Sequence, residues 1–286
     1  MSPHPSKVLV AGAVLAGMFL TGCSAGSGGG QSAAAGDCKP THTFSTVSSG
    51  KLTVAAPDFA PFVTLTGGTP SGIDVDIAQE IAAMECLTPT YSQVDYSGAI
   101  PAVQSGRADI AIGDYYRTTT RAQVVGLSDA MYFDGMGIIS KDGVTDMPTI
   151  ITRKVGTVDG YLWVADLKKV MGDNLKIYKS NVEMWADLKA GRIDVGIDSI
   201  PAGAFHAKEN GTEWKVGTAQ PDARIGASEK PAQTTLPYPK SNTALGTALN
   251  EDIATLHKNG KLAEIFTKHG IDPKQTEVGE SYLLGS

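Results

Sequence analysis

The sequence predicts an α/β protein with two similar lobes, each a mainly parallel sheet flanked by helices. The first observation is an alternation of strand-like and helix-like segments along most of the chain, which is typical of parallel sheets covered by helices. The second is an internal repeat: residues 102–114, AVQSGRADIAIGD, align without gaps with residues 187–199, DLKAGRIDVGIDS. Each copy reads as a helix, a glycine that ends it and a strand, so we interpret the chain as two related lobes.

The N-terminal segment is excluded from the folded domain. Lys7 precedes an apolar run over 8–20, which is too short for a membrane span and is typical of an export signal. The run ends in LTGC at 20–23, which resembles the bacterial lipobox and implies cleavage before Cys23 and lipidation of that cysteine. The alternative is a plain secretory signal. We therefore expect a lipoprotein signal peptide over 1–22, and an exported protein anchored through Cys23 to the outer face of the cytoplasmic membrane.

The next segment predicts a tether and a disulfide. Residues 24–36, SAGSGGGQSAAAG, are small and of low complexity, which is typical of a flexible linker, and we place the tether at 23–50. Paired cysteines usually form disulfides in the oxidising compartments that exported proteins reach. Besides Cys23 the chain has only Cys38 and Cys86, so we expect these two to be bonded. Two separate buried thiols are the alternative.

The first lobe is expected to begin at residue 51. KLTVAA at 51–56 predicts a strand, and the helix that follows over 71–86 is predicted by apolar residues at helical spacing. A short helix over 99–107 ends at a glycine, and ADIAIG at 108–113 is the next strand. These segments together predict the first sheet and its helices.

The same order of segments returns in the second half of the chain. Two further helices are expected over 245–271, separated at Asn259–Gly260. The second-lobe segments are a strand at 154–158, a helix at 161–171, a strand at 176–179, a helix at 183–192 and a strand at 193–198.

Two segments are candidates for a two-stranded hinge between the lobes. One is DGMGII at 134–139, which contains two glycines, and the other is QTTLP at 233–237. We therefore assign residues 51–135 together with 235–286 to the first lobe, and residues 136–234 to the second.

Composition and motifs exclude several functions. The formal net charge of −6 argues against nucleic acid, since phosphate binding is driven by clustered Lys and Arg. The sequence contains no GxSxG, HExxH, CxxC, Walker or strand-linked GxGxxG motif. Its histidines are scattered along the chain. We therefore expect no enzyme activity, no cofactor and no metal site.

Acidic and aromatic residues follow several of the predicted strands. In α/β sheets, ligands bind beyond the carboxyl ends of strands, and two facing lobes would join these ends in one cleft. Any one of these residues could instead cap a helix or pack in a core, but their recurrence in separate loops predicts a site for a charged small molecule. The candidates are Asp58, Phe62, Tyr96, Asp114, Tyr116, Arg121, Asp159, Tyr161, Trp163, Asp198 and Ser199.

The order of these segments resembles the polar amino-acid-binding proteins of ABC importers, which share a two-lobed type II periplasmic-binding-protein fold. The resemblance runs from about Lys51 to Ile271 and rests on KLTVAAPDFAPF, SGIDVDIAQEIA, IPAVQSGRADIAIG, RTTTRAQVVGLSDAMY, KVGTVDG and LKAGRIDVGIDS. It implies a monomer that captures a small solute by hinge closure and presents it to a membrane permease. The alternatives on the same fold are a cyclohexadienyl dehydratase, with Asp114 or Asp159 as its acid or base, and a ligand sensor that serves no transporter.

The resemblance also implies roles for single residues. Arg121 matches the arginine that grips the ligand α-carboxylate with its planar guanidinium. Ser199 matches a position where the family usually has an aspartate for the ligand ammonium, and Asp198 is its neighbour. The other implied contacts, all to the ligand side chain, are Phe62 and Tyr96 as enclosing aromatics and Asp58 from its loop.

Two departures from the family pattern indicate the kind of ligand. GDYY at 113–116 replaces small hydroxyl residues, and DGYLW at 159–163 replaces a Gln-Gly-Thr/Ser-Thr segment that binds the carboxylate. Carboxylates combined with aromatic faces favour a cation, through charge pairing and cation–π attraction. We therefore expect a ligand with a positive group: a basic amino acid, an amine or a betaine-like zwitterion.

Overall fold

The computed structural model describes residues 38–211 and 213–285. The predicted signal peptide, the lipidation site at Cys23 and the first part of the predicted tether lie outside these residues. The strands are β1 Lys51–Ala56, β2 Thr88–Gln93, β3 Ile110–Ala111, β4 Gly126–Leu127, β5 Phe133–Asp134, β6 Met136–Ser140, β7 Val155–Val158, β8 Leu175–Tyr178, β9 Val195–Ser199, β10 Lys215–Thr218, β11 Ala232–Gln233 and β12 Pro237–Tyr238.

The α-helices cover most of the positions that sequence periodicity predicts. Among the described residues, none of them combines the length and the apolar character required to cross a bilayer. They are α1 Ile73–Met84, α2 Tyr96–Gln104, α3 Thr119–Val124, α4 Met147–Ile150, α5 Val164–Met171, α6 Asn181–Lys189, α7 Ile200–Asn210, α8 Thr243–Lys258 and α9 Lys261–Lys268.

Most of the strands form two main sheets, and we call the part of the fold built around each sheet a half. The first has the order β2-β1-β3 and is parallel throughout. The second has the order β10-β6-β9-β7-β8, in which β7 runs parallel to β8 and β9 while β6 is antiparallel to β9 and β10. The expectation of a mainly parallel sheet therefore holds for the first sheet and must be corrected to a mixed sheet for the second. β6 follows the connection between the halves and runs in the direction opposite to β9, which lies about sixty residues further along the chain.

Two short antiparallel ladders connect the halves. β4 pairs with β12, where Gly126 lies opposite Tyr238, and β5 pairs with β11, where Phe133 lies opposite Gln233. Most of the predicted hinge segment 134–139 lies instead in β6, inside the second sheet. The lobe limits assigned from the sequence stay a prediction.

Helix α1 anchors the first half. Its N-terminal residue is preceded by Gly72, whose φ is +130° and whose backbone lies so close to the Phe62 carbonyl that a Cβ atom would sit 2.2 Å from that oxygen. Glycine is therefore required where the loop after β1 meets the helix. Ile73, Ile77 and Ile81 are buried as their spacing predicts, and α8 and α9 pack against α1, separated at Gly260.

The segment before β1 belongs with the fold, which corrects the predicted extent of the tether. Cys38 is bonded to Cys86 at the end of α1. The Thr41 amide donates a hydrogen bond to the Met84 carbonyl at 3.3 Å, and the His42 amide donates to Glu85 Oε2 at 2.9 Å. Residues 38–50 are thus held to the first half by a covalent bond and by hydrogen bonds.

Replacing Cys38 and Cys86 with serine is expected to lower the free energy of unfolding by about 2–4 kcal/mol, because the cross-link limits the unfolded chain across 48 residues. Urea unfolding of both proteins with and without reductant measures this effect. Reductant should bring the wild type to the variant's stability and leave the variant unchanged. Equal stability of the two proteins under oxidising conditions would contradict the prediction.

Candidate functional site

A small cavity lies where the two halves meet. The volume of this cavity is about 10 Å³, far less than a typical small-molecule pocket of about 300–1,000 Å³. A solute can therefore enter only if the walls move apart. The side chains that line it come from both halves: Phe59, Tyr96, Asp114 and Tyr116 from the first, and Tyr161, Leu162, Trp163 and Ser199 from the second.

Aromatic rings form the walls and meet across the boundary between the halves. Tyr96 and Tyr161 pack edge to face with 4.7 Å between ring centroids. Phe59 lies 5.7 Å from Tyr96 and 5.8 Å from Tyr161. Trp163 packs on Tyr161 at 5.2 Å. Because aromatic pairs are favourable at these distances, the Tyr96–Tyr161 and Phe59–Tyr161 contacts stabilise the closed arrangement of the two halves.

Asp114 is positioned by a buried aspartate beneath it. One oxygen of Asp74, in the first turn of α1, accepts hydrogen bonds from the Gly113 and Asp114 amides at 2.8 Å each, and the other accepts from the Tyr132 hydroxyl at 2.6 Å. Asp114 has a φ of +59°, a left-handed conformation that Asp tolerates better than most residues. The loop after β3 thereby places a carboxylate, only 2% exposed, in the cavity wall.

Two further carboxylates are buried near Asp114. Asp134, in β5, is 4% exposed and accepts a hydrogen bond from the Tyr116 hydroxyl at 2.7 Å. Asp198, in β9, is fully buried and accepts hydrogen bonds from the Tyr161 hydroxyl and the Ser199 amide at 2.9 Å each. In each of the three aspartates, one oxygen has no hydrogen-bond donor among the described residues: Oδ1 of Asp114, Oδ1 of Asp134 and Oδ2 of Asp198.

Burial makes the ionised forms of these groups unfavourable. Desolvation raises the pKa of Asp198 to about 7, with a smaller contribution from the charge of Asp134. Burial and the adjacent Asp134 carboxyl raise the pKa of Asp114 well above its usual range. Burial also raises the pKa of Asp134, although the hydrogen bond from the Tyr116 hydroxyl opposes that increase. A cation placed among them would relieve this penalty by favouring the charged carboxylates.

Arg121 does not line the cavity, but it contacts Tyr116, which does. Its amide donates a hydrogen bond to Thr118 Oγ1, which caps α3. Its guanidinium donates to the Tyr116 carbonyl at 3.0 Å and to the Gly160 carbonyl of the other half at 3.1 Å, and it lies 5.2 Å from the centre of the Tyr115 ring. The predicted grip on a ligand carboxylate stays a prediction.

The structure places Phe62 outside the cavity wall, unlike the sequence prediction, and its role toward a ligand stays a prediction. Its side chain is fully buried and stacks on Tyr132 at 5.9 Å. Phe59 occupies the wall instead, because a tight turn, closed by hydrogen bonds between the backbones of Phe59 and Val63, directs the two rings to different sides. The sequence prediction missed Phe59, although this residue lies in the same segment, KLTVAAPDFAPF, as Phe62.

Three predicted acidic residues also lie outside the cavity wall: Asp198, which is buried behind it, Asp159 and Asp58. Asp159 is exposed, and its amide donates to the Tyr178 carbonyl. Asp58 accepts a hydrogen bond from the Leu65 amide at 3.1 Å and faces a neighbouring groove that Asn181 also lines. Sequence reasoning missed Asp134, which it treated only as part of the hinge, and Leu162. The position of Asp134 at the end of a strand was the available signal.

Comparison with known proteins gives the family. Residues 52–272 match the family model described as "Bacterial extracellular solute-binding proteins, family 3". The chain belongs to this family. This solute-binding protein therefore has the two-lobed type II fold that the sequence predicted, and its family acts outside the cytoplasm.

Curated relatives of this solute-binding protein bind amino acids. It is 23% identical over 221 residues to the lysine/arginine/ornithine-binding periplasmic protein of Escherichia coli strain K12, with 74% of this chain and 84% of that protein covered. It is 25% identical over 279 residues to a probable histidine-binding protein of Neisseria gonorrhoeae, with 92% and 95% covered. The names of these relatives describe amino-acid binding and no reaction, which favours the expectation of a binding protein over the dehydratase interpretation.

Solved structures have the same fold. A histidine-bound substrate-binding protein of an ABC uptake transporter from Streptococcus pneumoniae superimposes with a TM-score of 0.69 at 21% identity, covering 78% of this chain and 93% of that one. An ancestral arginine-binding protein bound to arginine gives a TM-score of 0.68 at 25% identity, covering 77% and 97%.

Proposed function

We propose that this protein is the lipid-anchored, monomeric solute-binding component of an ABC importer, and that it captures an amino-acid-like solute with a positive group. The single observation that carries the choice of solute is the set of three buried aspartates, Asp114, Asp134 and Asp198, each with an oxygen that has no donor among the described residues. Among the described residues, none of the side chains that line the cavity carries a positive charge.

The charge of the site favours a cation over an anion. Buried carboxylates that lack a partner cost free energy, and a positive group supplies the missing charge and hydrogen-bond donors. The surrounding rings of Tyr96, Tyr116, Tyr161 and Trp163 add faces that attract cations. An acidic amino acid would instead bring a second carboxylate into this environment and would be repelled.

The names of relatives are consistent with a cationic solute. Lysine, arginine and ornithine are named for the Escherichia coli relative, and arginine is bound in the ancestral protein of the same fold. Histidine is named for others. Among these amino acids, the charge of the cavity favours those with a positive side chain: lysine, arginine and ornithine.

The membrane attachment and the transporter partner depend on the sequence and the family. The LTGC motif supports a lipid at Cys23, and the family supports a permease partner that recognises the closed lobes. Incorporation of a radioactive fatty acid into the wild-type chain, but not into Cys23→Ser, would support the anchor. Unlabelled wild type would contradict it.

A titration panel tests the choice of solute. Isothermal titration calorimetry with arginine, lysine, histidine, glutamine, glutamate, glycine betaine and agmatine, the decarboxylated form of arginine, should give tightest binding for a ligand with a positive group. Glutamate should bind most weakly, because its side-chain carboxylate meets the buried aspartates. Tightest binding of glutamate would overturn the proposal.

Arg121→Ala is expected to weaken arginine binding by about 10- to 150-fold, since a charge-assisted hydrogen bond contributes about 1.5–3 kcal/mol. Agmatine lacks the carboxylate that Arg121 would grip, so its affinity should change much less. Calorimetry with both ligands measures the difference. If both affinities fall equally, Arg121 acts only through its bond to the Gly160 carbonyl across the cleft, and its assigned role is wrong.

A further inference from the structure

We propose that His42, Glu85 and Asp252 form a binding site for a divalent transition-metal ion such as zinc, separate from the solute cleft. His42 comes from the segment before β1, Glu85 follows the last residue of α1, and Asp252 lies in α8. One ligand atom from each of the three residues lies within 4.8 Å of the others. An imidazole nitrogen with carboxylate oxygens is a common zinc ligand set.

The distances suit a small metal ion after minor adjustment. His42 Nδ1 lies 2.6 Å from Glu85 Oε1 and 3.9 Å from Asp252 Oδ1. Ligand atoms bound tetrahedrally to zinc at about 2.0–2.1 Å lie about 3.3 Å apart. Both separations from His42 differ from that value by less than about 1 Å, and the third, between Glu85 and Asp252, is within 4.8 Å. Side-chain rotation can supply adjustments of this size. Three protein ligands would leave a fourth position for water.

The buried carboxylates indicate that a further cation belongs here. The side chain of Glu85 is 1% exposed and that of Asp252 is 2% exposed. Oδ2 of Asp252 has no hydrogen-bond partner among the described residues. His42 can carry at most one positive charge against these two acids, so an ionised pair leaves a buried charge without compensation. Such burial is costly unless the charge is paired or bound to a metal.

A third acid orients the imidazole for metal binding. His42 Nε2 lies 2.9 Å from Glu251 Oε2. When Nε2 carries the proton and donates it to Glu251, Nδ1 presents its lone pair toward Glu85 and Asp252. A carboxylate behind the distal nitrogen of a metal-bound histidine is a recurring arrangement that fixes the tautomer. Glu251 would thus be a positioning residue and not a ligand.

A metal ion here would join three distant parts of the chain. It would link the segment that carries Cys38 to the end of α1 and to α8, next to the Cys38–Cys86 disulfide. Sequence spacing indicated no metal site, because the ligands lie at positions 42, 85 and 252 and only the fold brings them together.

Zinc titration of the full chain in detergent, after removal of metal with a chelator, tests the proposal. We expect one zinc ion per chain, detected by calorimetry, and a rise in the melting temperature, because a ligand that binds only the folded state stabilises it. His42→Ala and Asp252→Asn should each lower the zinc affinity at least about 10-fold, and Glu251→Gln about 10-fold through orientation of the imidazole.

His269→Ala is the matched control. His269 Nε2 contacts a single carboxylate, Asp76 Oδ2, at 2.7 Å, so this variant should bind zinc like the wild type. Asp252→Asn keeps the shape of the side chain, and a wild-type circular-dichroism spectrum would show that it folds. Absence of zinc binding, or binding that persists in both His42→Ala and Asp252→Asn, would overturn the proposal. Solute binding in the cleft plays no part in this measurement.

Discussion

The affinity for a cationic solute is expected to fall about 100-fold when the pH is lowered from 8 to 5. Asp198 has a pKa of about 7 in the protein without solute, because it is fully buried. A positive group pairs with the ionised carboxylate, so a proton must leave before the cation binds. Below the pKa of such a group, each pH unit reduces the affinity about tenfold. Arginine suits the experiment because its charges do not change between pH 5 and 8.

Besides burial, several neighbouring groups shift the pKa of Asp198. Tyr161 and the Ser199 amide donate hydrogen bonds to it, and these favour the charged form, whereas the charge of Asp134 disfavours it. Calorimetry in buffers of different ionisation enthalpy should therefore detect proton release on binding at pH 6.

The Asp198→Asn variant distinguishes the effect of Asp198 on solute affinity from the effects of the neighbouring acids. At pH 8 the variant should bind about 100-fold more weakly than the wild type, and at pH 5, where Asp198 is already protonated, the two should be nearly equal. Asp159→Asn is the matched control, since Asp159 is exposed and lies outside the cavity wall. An affinity that does not depend on pH, or an equal loss in Asp159→Asn, would contradict the prediction.

The same pKa has the opposite consequence for the protein without solute. The folded-state pKa of Asp198, about 7, exceeds its ordinary value of 3.8, so the folded state binds the proton more tightly than the unfolded state. The stability that this group contributes is fully present below about pH 4 and is lost as the pH rises through 7. A saturating cation should reduce that loss.

Local sequence patterns were sufficient to predict much of the fold. The spacing of Ile73, Ile77 and Ile81 predicts α1 because a helix repeats about every 3.6 residues, and Gly260 separates α8 from α9 at the predicted break. The direction of β6 could not be predicted in this way. It depends on which strand β6 pairs with, and that pairing joins residues about sixty positions apart, such as Ile138 and Ile197.

The candidate site was predicted in part, for a similar reason. Tyr96, Asp114 and Ser199 lie where the strand-end rule places them, since that rule depends only on topology. Whether a side chain faces the cleft or the core depends on backbone geometry within one turn, which residue type does not encode. Asp58 and Asp159 were therefore predicted as site residues from the sequence, while Asp134, at the end of β5, was assigned only to the hinge although it lies near Asp114 in the fold.

Phe62→Ala is expected to lower the free energy of unfolding by about 3–5 kcal/mol, because removing a fully buried aromatic ring loses its packing and leaves a cavity. The ring of Phe62 contacts Tyr132 and Phe59 but not the cavity. Solute affinity of the folded variant should therefore stay close to that of the wild type.

Phe59→Ala provides the comparison, because Phe59 lies one turn away and its ring packs against Tyr96 and Tyr161 from the two halves. This variant should lose solute affinity by about tenfold or more, since aromatic pairs contribute about 0.5–1.5 kcal/mol beyond their buried area. Urea unfolding and calorimetry on both variants measure the two effects, and Phe62→Leu replaces Phe62→Ala if the alanine variant does not fold. If the Phe62 variant binds solute more weakly and keeps the stability of the wild type, Phe62 contacts the ligand, and the prediction from the structure is wrong.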